Sequence, residues 1–170
     1  MNNDNGARKL SILLFATYLV ILFWIIVFKV NTEVVFGITR SINLIPLGQS
    51  LMTNGQIDFS EIILNIIIFL PLGIYAGLLF KKSSFWKKVL LFFSTSFICE
   101  LSQFILGVGF SDITDIINNT LGGILGLAIY AGIERAFKDS IKTQRFINIA
   151  ATIVTVLVLL LLLLLILYNM

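Results

Sequence analysis

Five runs of about 20 mostly apolar residues, at 10–28, 61–80, 89–110, 112–133 and 146–168, dominate this chain of 170 residues. A run of that length, wound as a helix, spans the hydrocarbon core of a bilayer. Soluble domains carry about 25% charged residues, whereas this chain has 12% and is 58% hydrophobic. The sequence therefore predicts an all-α integral membrane protein, a single membrane domain over 1–170 with five transmembrane helices. The first run follows Arg8 and Lys9, as the core of a signal peptide would. It is too long for one, and no small-residue cleavage site follows, so it reads as a retained helix.

The basic residues predict the topology. Arg8 and Lys9 precede the first run; Lys81, Lys82, Lys87 and Lys88 lie between the second and third; Arg135, Lys138, Lys142 and Arg145 lie between the fourth and fifth. Only Lys29 and Arg40 fall on the alternate side. The positive-inside bias then places the N-terminus in the cytoplasm and the C-terminus outside. The acids lean the other way: Glu33, Asp58, Glu61, Glu100, Asp112 and Asp115 fall toward the outer side, against Asp4, Glu134 and Asp139 inside.

There is no histidine. That excludes Ser-His triads, imidazole acid–base chemistry and His-ligated zinc. The lone Cys99 sits in an apolar run and reads as a packing residue. The longest polar-side segment, 29–60, is expected outside. Its centre, SINLIPLGQSLMTNG, mixes apolar residues with Asn, Pro and Gly, and predicts a loop that dips into the interface or carries a short interfacial helix. The last run is almost pure Leu, Ile and Val and predicts a lipid-facing span.

Polar residues recur at helical spacing inside the runs. Ser96, Glu100, Gln103 and Gly107 share one face of the third; Asp112, Asp115, Asn119, Gly122 and Gly126 share one face of the fourth. Asp58, Glu61 and Asn65 do the same at the start of the second, followed by Pro71, which frees a backbone carbonyl and kinks the helix. A charge facing lipid costs at least ~2.5 kcal/mol. The economical arrangement turns the three faces toward one polar pocket near the outer surface. Gly122 and Gly126 form a GxxxG pair suited to close helix contact. Asp112 also suits a helix N-terminus, where a carboxylate complements the dipole.

The segments NLIPL, NIIIFLPLG, ELSQF and SDITDIINNTLGG, in this order, resemble the VanZ-like membrane proteins. The family pattern falls on Asn43 and Pro46; on Asn65, Phe69, Pro71 and Gly73; on Glu100 and Gln103; and on Asp112, Asp115, Asn119 and Gly122. Many family members carry an Arg shortly before the first Asp; 107–111 here has none, which implies a more acidic pocket. The resemblance implies a multi-pass protein of the bacterial cell membrane that confers low-level resistance to teicoplanin-type lipoglycopeptides. With Glu61 added from the polar face, the candidate ligand-binding residues are Asn43, Pro46, Glu61, Asn65, Pro71, Glu100, Gln103, Asp112, Asp115, Asn119 and Gly122. The expected ligand is the lipid-tailed glycopeptide or a lipid-linked peptidoglycan precursor. No nucleic acid, cofactor or metal is expected.

The competing expectation is an enzyme that modifies a lipid-linked envelope polymer. Glu100, Asp112 and Asp115 would then act as general acid and base, or hold a cation against a phosphate. Against it, no obvious nucleophile stands nearby beyond Ser96, Ser102 and Ser111, and no metal motif is complete. A transporter ranks last, because five spans without a repeat, whose own acids all lie in one half, do not suit alternating access.

Overall fold

The computed structural model describes residues 2–28, 39–43, 45, 52–53, 56–57 and 59–168. It contains five helices long and apolar enough to cross a membrane. In chain order the elements are α1 (Asn2–Phe28), β1 (Thr39–Asn43), β2 (Met52–Thr53), β3 (Gln56–Ile57), α2 (Phe59–Leu79), α3 (Phe85–Leu106), β4 (Val108–Asp112), α4 (Ile113–Phe137) and α5 (Ser140–Tyr168).

The five expected spans are all helices, with shifted ends. The third run is helical only to Leu106. Gly107 then turns left-handed (φ 65°, ψ 36°), and its N–H caps the carbonyls of Gln103 and Phe104. Glycine adopts that conformation without the Cβ clash other residues meet. The apolar residues that follow become strand β4, so the run expected to be helical through Phe110 divides in two. β4 pairs in parallel with β1, in the register Thr39–Val108 through Asn43–Asp112. The segment expected to dip into the interface or form a short helix thus contributes strands in its described part. β2 and β3 pair antiparallel, Met52 with Ile57 and Thr53 with Gln56.

The core of the bundle is the packing of α2 against α4. A Cβ added to Gly73 would collide with the Gly123 carbonyl oxygen, one on Gly122 with that of Ile66, and one on Gly126 with that of Leu70. The two backbones therefore touch, as the GxxxG spacing implies. Around this seam Leu22, Ile26, Val27, Phe69, Leu72, Ala76, Phe92 and Cys99 form the main buried cluster, which places Cys99 as packing. Tyr18 of α1 donates its hydroxyl to the Ile68 carbonyl at 2.8 Å, in the turn preceding Pro71. A proline leaves a carbonyl of the preceding turn without its helical partner, and polar side chains of neighbouring helices commonly re-satisfy the backbone there.

The two ends of the bundle differ in chemistry. One end carries Lys81, whose Nζ lies 2.7 Å from Glu134 Oε1 and 2.8 Å from Ser140 Oγ, tying the α2–α3 turn to α4 and α5. Partial burial pulls the Lys81 ammonium down, but the bonds it donates to Glu134 and Tyr130 outweigh this and leave it raised. Nearby, Ser11 donates to Asn148 Oδ1 (2.8 Å), and Asn148 Nδ2 donates to the Ala7 carbonyl (2.9 Å), clamping α5 to α1. Beyond that clamp α5 has no residue buried in the fold. The opposite end gathers the carboxylates.

Candidate functional site

α3 ends and α4 begins on either side of β4, so the last turns of one helix face the first turns of the other. Glu100 lies in the last two turns of α3 and is 3% exposed. Its Oε2 accepts the backbone N–H of Asp112 at 3.0 Å. Asp112 caps α4 by accepting from Thr114 N at 2.8 Å. Its other oxygen, Oδ2, accepts from Asn43 Nδ2 at 3.2 Å. The parallel ladder makes this contact possible, because it sets Asn43 directly beside Asp112. Asn43 Oδ1 in turn accepts from Ile45 N at 3.1 Å, an Asx-type turn that holds the amide side chain in place. Ser111 Oγ donates to the Glu100 carbonyl at 2.8 Å.

These four residues, Asn43, Glu100, Ser111 and Asp112, form the polar end of a cleft of about 800 Å³ between α3 and α4. Its walls are apolar: Phe93, Phe97, Leu101 and Phe104 on α3; Ile113, Ile116, Ile117, Leu121 and Ile124 on α4, with Thr120 among them. Volumes of about 300–1,000 Å³ are typical of small-molecule sites.

The remaining expected residues lie elsewhere on the same helices. Asn65 Nδ2 donates to Asp115 Oδ1 at 2.6 Å, joining α2 to α4 on the side away from the cleft lining. Gln103 Nε2 donates to the Ile26 carbonyl at 2.9 Å, and Asn119 Nδ2 to Ser96 Oγ at 2.9 Å, joining α3 to α1 and to α4. Gly122 sits against the Ile66 backbone in the seam. Pro71 lines a second, smaller cavity of about 180 Å³ with Tyr18, Tyr75 and Phe146. Glu61 is half-buried in the first turn of α2. Pro46 lies outside the described residues. The polar stripes therefore serve two purposes: Asn43, Glu100 and Asp112 face the cleft, while Asn65, Gln103, Asp115 and Asn119 tie helices together.

The residue-by-residue reading missed the apolar half of the cleft. Phe93 and Phe97 stack on one another one turn apart, with centroids 6.1 Å apart and planes 8° from parallel. An aromatic pair at i, i+4 on a lipid-facing helix carries no sign of a partner wall until α4 is placed. As for nucleophiles, Ser96 accepts from Asn119, Ser102 donates to the Ile98 carbonyl, and Ser111 donates to the Glu100 carbonyl. Each hydroxyl already has a structural bond. Among the described residues, no three Asp, Glu, Cys or His side chains gather where they could hold a metal ion.

The comparison with known proteins agrees with the arrangement of motifs. The profile of the VanZ/LLP1 family matches residues 15–137, from within α1 to the end of α4. The protein VanZ of Enterococcus faecium is 38% identical over 146 residues, covering 84% of this chain and 86% of that relative. No solved structure matches the chain. The match includes the seam, the cleft and β1, and the chain belongs to the VanZ/LLP1 family.

Proposed function

We propose that this protein confers low-level resistance to teicoplanin-type lipoglycopeptides in the bacterial cell membrane. It does so by binding the lipid-tailed drug, or a lipid-linked cell-wall component, in the α3–α4 cleft. The observation that carries this reading is the cleft's division into an apolar wall and a carboxylate-bearing end, which matches the division of a lipid-tailed molecule. In this reading the lysine end faces the cytoplasm and the carboxylate end the outer leaflet, as the distribution of basic residues supports. A reporter active only in the cytoplasm should then work in the 138–142 turn and be silent after Met170.

The test of function is expression in a susceptible host. Tolerance to teicoplanin should rise more than tolerance to vancomycin, which lacks the lipid tail. Equal protection against both drugs would remove the tail from the explanation. Mass spectrometry of envelope lipids and polymers, with and without the protein, separates this reading from an enzyme: binding leaves their chemistry unchanged, and carboxylate catalysis leaves a new product.

A further inference from the structure

A gap of about 180 Å³ lies between α5 and the rest of the bundle, and it shares no lining residue with the α3–α4 cleft. α5 gives it Phe146, Ala150 and Val154, α2 gives Pro71 and Ile74, and α4 gives Ile133. An empty gap of this size would forfeit the contacts of the atoms around it. Water is a poor filler, because an apolar cavity of about 150 Å³ stays dry and takes up a small hydrocarbon instead. Phe146 is 46% and Val154 54% exposed, so the gap opens sideways onto lipid. Its α5 wall runs from Phe146 to Thr155, a rise of about 14 Å, close to half of the ~30 Å hydrocarbon core. That is the reach of one acyl chain in one leaflet. The two ends of the gap differ. Past Thr155, α5 continues as Val, Leu and Ile to Leu167. At the other end the rings of Phe137 and Phe146 meet, with centroids 5.3 Å apart. Lys138 follows Phe137 directly, and Lys142 stands one turn before Phe146, both exposed. Between them in the chain, Asp139 accepts the N–H groups of Ile141 and Lys142 and so caps α5. Lys142 and Arg145 offset its charge, and the end stays basic. Among the described residues, neither Lys138 nor Lys142 makes a salt bridge.

We infer that this gap holds one acyl chain of an anionic phospholipid, drawn from the leaflet that meets the lysine end, with its phosphate against Lys138 and Lys142. The chain supplies the contacts that α5 lacks along the gap. The phosphate supplies acceptors for two ammonium groups, which donate and cannot accept. Because Asp139 already caps the helix end, the lysine side chains hold the anion. A zwitterionic head of the same chain length brings an ammonium of its own, which the lysines repel. The lipid thereby fastens α5 to the bundle beyond the Ser11–Asn148 clamp.

The test uses the full chain in phosphatidylcholine vesicles. Trp24 and Trp86 are replaced by Phe, and a single reporter is introduced as Phe146→Trp, at the mouth of the gap. Ile149→Trp, exposed on α5 outside the gap, is the control. Phosphatidylglycerol and phosphatidylcholine with identically brominated chains are titrated as quenchers. At residue 146 the phosphatidylglycerol should half-quench at about tenfold lower mole fraction, the size of one hydrogen bond to a charged group. Residue 149 should show no preference. The preference should vanish in Lys138→Gln/Lys142→Gln, with quenching at residue 149 unchanged. It should survive in Lys82→Gln/Lys87→Gln, which removes the same charge from the α2–α3 turn and the start of α3. Equal quenching by both lipids at residue 146, or a preference that persists in Lys138→Gln/Lys142→Gln, would overturn the inference. So would an equal preference at residue 149, or one lost alike in both lysine pairs, since the attraction would then belong to the whole basic end. Quenching by neither lipid at residue 146, with normal quenching at 149, would overturn it as well and mean that protein, such as a second copy of this chain, closes the gap.

Discussion

α4 packs differently on its two sides. Toward α2 it presents Gly122 and Gly126, and the helices close until backbone meets backbone. Toward α3, along the carboxylate end of the interface, it presents Ile113, Ile116, Ile117, Thr120 and Leu121, which hold the helices apart around an open cleft. Membrane helices gain little from burying apolar surface, since lipid is as apolar as leucine. Close van der Waals contact and interhelical hydrogen bonds must do the work instead. The seam concentrates both, with the glycine contacts and the Asn65–Asp115 bond. That rigid side allows the other to remain unfilled.

The comparison breaks most visibly at the seam. Gly126→Leu would drive a side chain into the Leu70 carbonyl region, and overpacking of this kind costs about 1–3 kcal/mol or more. Membrane abundance should collapse, read by immunoblot against wild type; normal abundance would mean the backbones have room to part. Next come the cleft carboxylates. Glu100→Gln and Asp112→Asn keep size and hydrogen-bonding reach while removing charge, so abundance should stay near normal and resistance fall to that of cells lacking the protein. The double variant should be scarcely worse than either single one, as for residues acting as a unit. Wild-type resistance in both at matched abundance would place the function elsewhere.

Asp115 sharpens the boundary between the two sides. It belongs to the seam by its bond to Asn65. Asp115→Asn retains an acceptor and should keep most resistance, whereas Asp115→Ala strands the Asn65 amide at a cost of about 1–3 kcal/mol and should lower abundance. Full loss of resistance in Asp115→Asn at normal abundance would instead assign Asp115 to the cleft. Filling the cleft from its open side is a milder change: Ile117→Trp should reduce resistance in part without altering abundance.

The smallest effect is expected at Asp139, outside both regions. The N–H groups of Lys142 and Ile141 donate to it and hold its carboxyl below the usual carboxylate range. A depressed folded value means its contribution is present above the unfolded pKa of about 3.9 and is lost as pH falls through the folded one. Asn caps helices about as well as Asp. Asp139→Asn should therefore be silent in resistance at neutral pH, and should flatten only the acid limb of a melting-temperature profile in detergent.

The five spans were legible in the sequence because lipid demands long apolar runs and tolerates few exceptions. The glycine seam was legible too, since Gly122 and Gly126 recur at the spacing that brings helices together. Other features left weaker traces. Gly107 is a turn signal that its apolar neighbours obscured. The parallel pairing of β1 with β4 left no local trace, because its partners are far apart in the chain and Thr39–Asn43 alone reads as polar loop. The carboxylates stood out by type and period, yet their division into cleft and seam depends on which neighbour each one meets. That is decided by the rotation of α4 between α2 and α3, not by its own sequence.

The β1–β4 ladder also has a consequence for the order of assembly. Asn43 and Asp112 are 69 residues apart in the chain. At a synthesis rate of about 5–20 residues per second, β1 emerges some 3–14 s before its partner. Through that interval the edge of β1 is unpaired, an exposed template for other strands, while α2 and α3 are still to be inserted. The amide that steadies Asp112 can dock only after α3 has crossed and Gly107 has turned the chain. The polar end of the cleft therefore forms only after α3 is in place, and a nascent chain stalled before Asp112 would carry helices in the membrane but no carboxylate end to the cleft.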